Sequence, residues 1–365
     1  MTTSQRFAQT RFASGVVGIL PRPMMVREML PQTPGPASAE AARSKQMDAA
    51  VHYAIAMQEL AGLDLVSDGE WRRHAYTHII ADIATGFTAD LRTEPHRWGI
   101  SITEPMQVVK PGLIAEEARF LVAATDRMTK VCVPSPYLLV IRLWEQGVSS
   151  KAYPSRDGFI EEVAAILREE LLALQETGVA VVQVDEPHMC VLVDPSYRDS
   201  FEDAQFEMDL SADMINGMLT SIDKVQTALH LCRRNYGRRG WGAEGGYEPI
   251  IETMKKIQVD QYVMEFSIPV AGDVAILTAV APGQADRPGG RGVPLRKDRH
   301  HRTDRRSCRG SYEAHRQGPR QHQPRLWVRT RPGNGHVPGG TLPEALQRGG
   351  GVGAAAGEVR LSWAA

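Results

Sequence analysis

Val181-Val-Gln-Val-Asp-Glu-Pro187 is an apolar, β-branched run broken only by Gln183, and it closes on two carboxylates and a proline. Such a run, apolar on both faces, reads as a strand buried on both sides, as in parallel sheets. Directly before it, Gly158–Glu176 carries Ile160, Val163, Ala164, Leu167, Leu171 and Leu174 near helical spacing, and Gly178 follows as a stop signal. A helix that stops on glycine and leads at once into a buried strand is the repeating step of an α/β protein.

Working outward, the same ending recurs in Leu65-Val-Ser-Asp-Gly-Glu70 and in Ala228-Leu-His-Leu-Cys232. In each, acidic or metal-binding side chains stand where a strand-like run stops, which is where an α/β barrel builds its active site. Further strand-like runs lie at Val16–Leu20, Leu63–Val66, Lys130–Val133, Val179–Val184, Thr227–Leu231 and Gln261–Phe266. Helical patterns lie between them at Ala41–Leu60, Ile114–Thr125, Asp157–Thr177 and Tyr247–Ile257. The alternation predicts an α/β chain of the (β/α)8 TIM barrel type, with the last units missing or scrambled.

The chain has 365 residues, 42% of them hydrophobic, and a formal charge of −1. That length suffices for one large barrel with a buried core. No apolar run is long enough to span a bilayer and the N-terminus has no apolar signal segment, so a cytoplasmic location is expected. Four cysteines spread over the chain do not make a disulfide framework, which favours thiol or metal roles. The near-zero charge hides a division. Residues 281–365 hold 16 Lys and Arg against 6 Asp and Glu, and 15 of the 33 glycines. The expected organisation is a TIM-barrel catalytic domain over 1–280 and a basic Arg/Gly/Pro-rich tail over 281–365. That tail is either disordered or translated out of frame from a GC-rich coding region.

His230 and Cys232 alternate on one strand, so both side chains face the same way, and imidazole with thiolate is a ligand set that zinc prefers. A buried cysteine beside a hydrogen-bonded histidine is the plainer alternative. Glu265, in Tyr262-Val-Met-Glu-Phe266, offers a carboxylate at another strand end. Asp185, Glu186 and Glu70 are candidate catalytic carboxylates at the barrel mouth. For Asp185 and Glu186 the alternative is to cap a following helix or to hold an arginine such as Arg72 or Arg73.

His230-x-Cys232, Glu265, Asp185-Glu-Pro187, Asp68-Gly-Glu70 and Gly18-Ile-Leu-Pro-Arg-Pro23, in that arrangement along residues 14–277, resemble the catalytic half of the cobalamin-independent methionine synthase family. The resemblance implies a zinc-dependent barrel that alkylates a small thiol, with zinc on His230, Cys232, Glu265 and a later cysteine. The only later cysteine is Cys308, in Arg305-Arg-Ser-Cys-Arg-Gly310, which lacks the family's surrounding motif. The resemblance also implies that Glu70 and Asp185 contact the polar end of the thiol substrate.

Family methionine synthases end the first strand in Gly-Ser, and this chain has Gly18-Ile19. Isoleucine cannot donate the serine's hydrogen bond to an amino-acid carboxylate. The first expectation is therefore the family's epoxyalkane:coenzyme M transferase (2-hydroxypropyl-coenzyme M lyase) chemistry, in which a zinc-bound thiolate opens an epoxide. Arg22, Arg72 and Arg73 would then pair with the sulfonate. Methyl transfer to homocysteine is the alternative, and a non-catalytic binding protein or inactive fragment is the reading from another class. Substrate-binding candidates are Ile19, Arg22, Arg72, Arg73 and Trp241, with Trp241 or Tyr247 packing on a ligand from the loop after Cys232. The expected cofactor is Zn2+. The expected partners are a small thiol (coenzyme M or homocysteine) and an electrophilic alkyl donor, with no nucleic acid, no membrane, and room for a homo-oligomer.

Overall fold

The computed structural model describes residues 2–10, 13–31, 33–90, 99–233, 242–266, 271–276 and 279. Its strands are β1 (Leu65–Val66), β2 (Ala84–Asp90), β3 (Gly99–Val108), β4 (Met128–Pro134), β5 (Val181–Asp185), β6 (Gln226–Leu231) and β7 (Gln261–Met264). Strands β1, β4, β5, β6 and β7 form one sheet in that order, with every neighbouring pair parallel. The expected α/β class is what the chain adopts. Helix Lys45–Leu60 leads into β1, and Leu113–Ala123, Arg156–Leu174, Ala204–Met218 and Ile251–Lys256 lie in the connections between successive parallel strands. The helix Arg156–Leu174 packs against its neighbours Leu113–Ala123, Pro136–Leu143 and Ala204–Met218. It buries Ile160, Val163, Leu167, Leu171 and Leu174, and Gly178 follows it with φ 87°.

The sheet curls into part of a barrel, and two side chains show it. Among the described residues, the first segment pairs with the sheet through one β-bridge, Gly15 to Leu65 on β1. In a flat sheet it would then stand three strand spacings, roughly 14 Å, from β5. Gln183 of β5 nonetheless donates to Val17 O at 2.9 Å. Lys130 of β4 donates to Val16 O at 2.6 Å and to Val17 O at 2.8 Å. The strand expected at Val16–Leu20 is thus reduced to one bridge, because side chains from the barrel interior take the carbonyls that a ladder would use.

Two features lie beyond the alternating pattern. An antiparallel ribbon pairs β2 with β3, with its register shifting between Thr85 and Phe87. Gly86 sits at that shift with φ 103°, and a Cβ there would come within 2.6 Å of Glu104 O. The other is the N-terminal helix Thr3–Gln9, opened by a capping box between Thr2 and Gln5. Its Phe7 joins Ala13, Leu65, Met128, Val181, Ala228 and Val263 in a small cluster away from the main core, closing the N-terminal end of the strands. Among the described residues no helix is long and apolar enough to cross a membrane.

Candidate active site

The carboxyl ends of β1, β4, β5, β6 and β7 meet at one end of the sheet, and the candidate site residues gather there. After β1, the turn Ser67-Asp68-Gly69-Glu70 folds on itself: Ser67 Oγ accepts from Gly69 N at 3.2 Å and Asp68 Oδ1 from Glu70 N at 2.9 Å. Glu70 carries φ 56°. A non-glycine residue in that region costs roughly 1–3 kcal/mol and persists only where its surroundings fix it. Arg22 is one fixture, donating to Glu70 O at 2.8 Å, to His74 O at 3.1 Å and to Arg73 O. Burial lowers the pKa of that guanidinium to about 10.

Glu70 and Asp185 are both buried. Burial pushes the Glu70 carboxyl up to about 7 against the pull of Arg73, and Asp185 raises it further. Asp185 is also raised, again chiefly by burial, while His230 pulls the other way. Asp185 Oδ1 accepts from Gln183 Nε2 at 2.7 Å. A Glu70 oxygen, an Asp185 oxygen and the Cys132 Sγ lie within 4.8 Å of one another. Cys132 faces inward from β4 and is absent from the sequence-based candidates, because a single cysteine in an apolar strand looks like core.

Glu186 has a different place. It is fully buried, and its Oε1 accepts from His188 N at 2.8 Å and Met189 N at 3.3 Å, capping the helix Pro187–Val191. Its Oε2 bonds Ser135 Oγ, and Ser211 Oγ at 3.1 Å. With four partners on its oxygens, Glu186 caps that helix and braces β4 against the helix Ala204–Met218, which is the helix-capping alternative that its place in the sequence offered. Ser135, from Pro134-Ser-Pro136, also caps the helix Pro136–Leu143 through Leu138 N.

The arginines also have partners within the fold. Arg72 gives one nitrogen to Ala42 O and another to Asp48, both at 2.6 Å, and lies over the Phe120 ring. Arg73 donates twice to Glu117 and once to Cys132 O. Arg22 holds the carbonyls of the Glu70 turn. Each of the three guanidinium groups thus holds backbone carbonyls or helix carboxylates of the fold, and Arg22 keeps one buried Nε without a hydrogen bond. Ile19 is 46% exposed near this turn.

On the far side of Asp185 stand the zinc candidates. Asp185 and His230 are register partners on β5 and β6. His230 Nδ1 lies 3.0 Å from Val263 O. A carbonyl can only accept, so Nδ1 is the donor here, and Nε2 is the ring nitrogen that would ligate a metal in the neutral tautomer, an arrangement common among metal-binding histidines. Glu265 Oε2 accepts from Arg233 N at 3.0 Å, and Tyr247 OH braces the Glu265 backbone from both sides, at 2.9 Å to N and 3.0 Å to O. Tyr247 is fully buried beneath Arg233, so it is a support and not the ligand-stacking ring expected from its loop. The donor types of His230, Cys232 and Glu265 fit zinc. Among the described residues, however, the set whose ligand atoms lie within 4.8 Å of one another is Glu70, Cys132 and Asp185. Trp241 and Cys308 lie outside the described residues.

Comparison with known proteins bears on this arrangement. The family described as "Cobalamin-independent synthase, Catalytic domain" matches residues 12–286. A methionine synthase of Pyrococcus abyssi is 27% identical over 263 residues, covering 70% of this chain and 68% of that protein. One of Sulfurisphaera tokodaii is 25% identical over 257 residues, covering 67% and 65%. The chain therefore spans about two thirds of the length of these relatives. A 5-methyltetrahydropteroyltriglutamate–homocysteine methyltransferase of Salmonella paratyphi B is 26% identical over 187 residues, half of this chain but 24% of that protein. In structure, the chain resembles a B12-independent methionine synthase from Shewanella sp. W3-18-1 in complex with selenomethionine, at a TM-score of 0.56 and 22% identity over 75% of this chain and 79% of the other. That likeness fixes the barrel fold.

Proposed function

The chain belongs to the cobalamin-independent synthase catalytic-domain family, and from that premise we propose that it is a methyltransferase whose acceptor is the thiol of homocysteine. The observation that carries this reading is the pair of buried carboxylates, Glu70 and Asp185, whose oxygens come within 4.8 Å of one another. Two acids there suit an ammonium group and oppose a sulfonate. Coenzyme M has a sulfonate and no amine, and Arg22, Arg72 and Arg73 are committed elsewhere. The names of the relatives favour the same side, since they are methionine synthases and a homocysteine methyltransferase. Epoxide opening with coenzyme M, the first expectation from Gly18-Ile19, has no support from them.

In this reading Glu70 and Asp185 receive the α-ammonium group of homocysteine and aim its thiol toward His230, Cys232 and Glu265. Those three residues would hold zinc. When bound there, zinc lowers the thiol's pKa so that a nucleophilic thiolate is present near neutral pH. His230 keeps the geometry through Val263 O, and Tyr247 holds the Glu265 backbone. Glu70 must be ionised to hold the ammonium, and with its carboxyl near 7 the binding is coupled to proton loss. In the transfer, the sulfur forms a bond to the methyl carbon and the donor's carbon–nitrogen bond breaks. The donor amine then takes up a proton. The donor is of the methyltetrahydropteroyl class. We assign catalysis to residues 1–280, and residues 281–365 stand outside that unit.

Methionine formation from homocysteine and a methyltetrahydropteroyl donor, assayed beside epoxide-dependent consumption of coenzyme M, tests the reading. Homocysteine methylation that depends on Cys232 is the expected result. Consumption of coenzyme M with no methionine formed would overturn it.

A further inference from the structure

Cys132 has no part in the chemistry above, yet its place is specific. It faces the barrel interior on β4, and its Sγ lies 3.7 Å from Val17 O. Its two neighbours in the pocket come from independent parts of the fold, Glu70 from the turn after β1 and Asp185 from the end of β5. All three are at least nine-tenths buried. One oxygen of the set is unsatisfied: Glu70 Oε2 is shielded from solvent and accepts no hydrogen bond. The nearest cation, Arg73 Nη1, stands 3.9 Å away and is already held at 2.7 Å by Cys132 O, with Glu117 on the same guanidinium.

A pocket built only for an ammonium group needs oxygen acceptors, and a thiol adds little to it because sulfur accepts hydrogen bonds weakly. A thiol with two carboxylates within 4.8 Å is instead a donor set for a thiophilic divalent cation, of the kind represented by zinc, cobalt or cadmium. Such an ion would draw the proton off Cys132 and supply the partner that Glu70 Oε2 lacks. It would also relieve the repulsion between the two carboxylates.

We propose that Glu70, Cys132 and Asp185 form a second, thiophilic metal site, separate from His230, Cys232 and Glu265. Its ion and the substrate's ammonium group exclude one another, a point that rests on the amine placement proposed above. The site makes the protein open to inhibition by excess soft metal and gives the amino acid a means of clearing it.

The test uses the full chain carrying Cys232→Ala, so that the His230 set is disabled, titrated with cadmium while the ultraviolet thiolate-to-cadmium charge-transfer band is followed. One cadmium bound per chain with that band is expected. Cys132→Ser in the same background should abolish the band and weaken binding at least tenfold. Glu70→Gln, which keeps every cysteine, should weaken binding at least tenfold while the band survives at saturation. Far-UV circular dichroism and thermal melting identify any variant that fails to fold, and the Glu70 variant then decides alone. No cadmium bound by Cys232→Ala, a band that persists in Cys132→Ser, or unchanged affinity in Glu70→Gln would each overturn the site. Methionine, which carries the ammonium group without a free thiol, should raise the apparent cadmium dissociation constant in proportion to its concentration. Cadmium binding that ignores methionine would leave the site standing and sink the shared pocket.

Discussion

Glu70 combines three unusual features in one residue: φ 56°, a carboxyl raised to about 7 and an oxygen that accepts no hydrogen bond. Replacing it by Gln keeps the shape and removes the charge. A hydrogen bond to a charged group is worth about 1.5–3 kcal/mol. Glu70→Gln should therefore raise the KM for homocysteine roughly 10- to 100-fold while kcat changes less, as steady-state kinetics would show. Glu186→Ala should do the reverse. It loses a helix cap and the bonds to Ser135 and Ser211, so urea unfolding should show a loss of about 1–3 kcal/mol with the KM unmoved.

A third prediction belongs to Asp82, whose carboxyl burial raises from 3.8 to about 7 even though Gly35 N donates to it. A carboxyl raised on folding binds its proton more tightly in the native state. Its contribution to stability is therefore full below about 3.8 and is lost as the pH climbs to about 7. Asp82→Asn should remove that dependence, so wild type loses stability relative to the variant between pH 4 and pH 7. A difference constant over that window would contradict it. At this scale the sequence is legible where a carboxylate ends a strand, as at Asp185. It does not distinguish Asp185 from Glu186, because adjacent residues at a strand end point in different directions and only one reaches the pocket. The partners of Arg72 and Arg73 are not legible for a related reason: Asp48 and Glu117 lie on helices distant in the chain.

Among the elements, the parallel strands are read correctly because burial on both faces leaves an apolar mark that survives without tertiary knowledge. β4 runs Met128–Pro134 and β5 runs Val181–Asp185, each within a few residues of its sequence reading. The ribbon of β2 and β3 is invisible to that reading, since its burial alternates only in part and its pairing is antiparallel. The first strand is overread at Val16–Leu20, because what holds it is the inward ammonium of Lys130 on two carbonyls 114 and 113 residues away. No local pattern marks that tie. Lys130→Met should loosen the first segment, costing about 1–3 kcal/mol in unfolding free energy and speeding amide exchange near the segment's bridge at Gly15 and Leu65. Unchanged exchange would mean that the ladder bridge alone suffices. The buried ion pair of Arg73 and Glu117 makes a sharper case: Arg73→Met strands a buried carboxylate and should cost about 3–5 kcal/mol. The double change with Glu117→Leu should recover most of that loss.

For the whole molecule, the family match over residues 12–286 and the change of composition near residue 281 divide the chain at nearly the same place. We assign the methyl-transfer unit to the first part, and limited proteolysis should leave a resistant fragment ending close to residue 280 with the melting temperature of the full chain. A melting temperature that falls on cleavage would tie residues 281–365 to the barrel. Within this unit, the proposed function puts the ammonium group of homocysteine on Glu70 and Asp185 and its thiolate on zinc. The direct measurement is zinc-edge X-ray absorption on the protein loaded with one equivalent of zinc, before and after homocysteine is added. The predicted result is a gain of one sulfur in the zinc coordination shell, lost in Asp185→Asn at the same homocysteine concentration. A sulfur count that homocysteine leaves unchanged in the wild-type protein would contradict the claim.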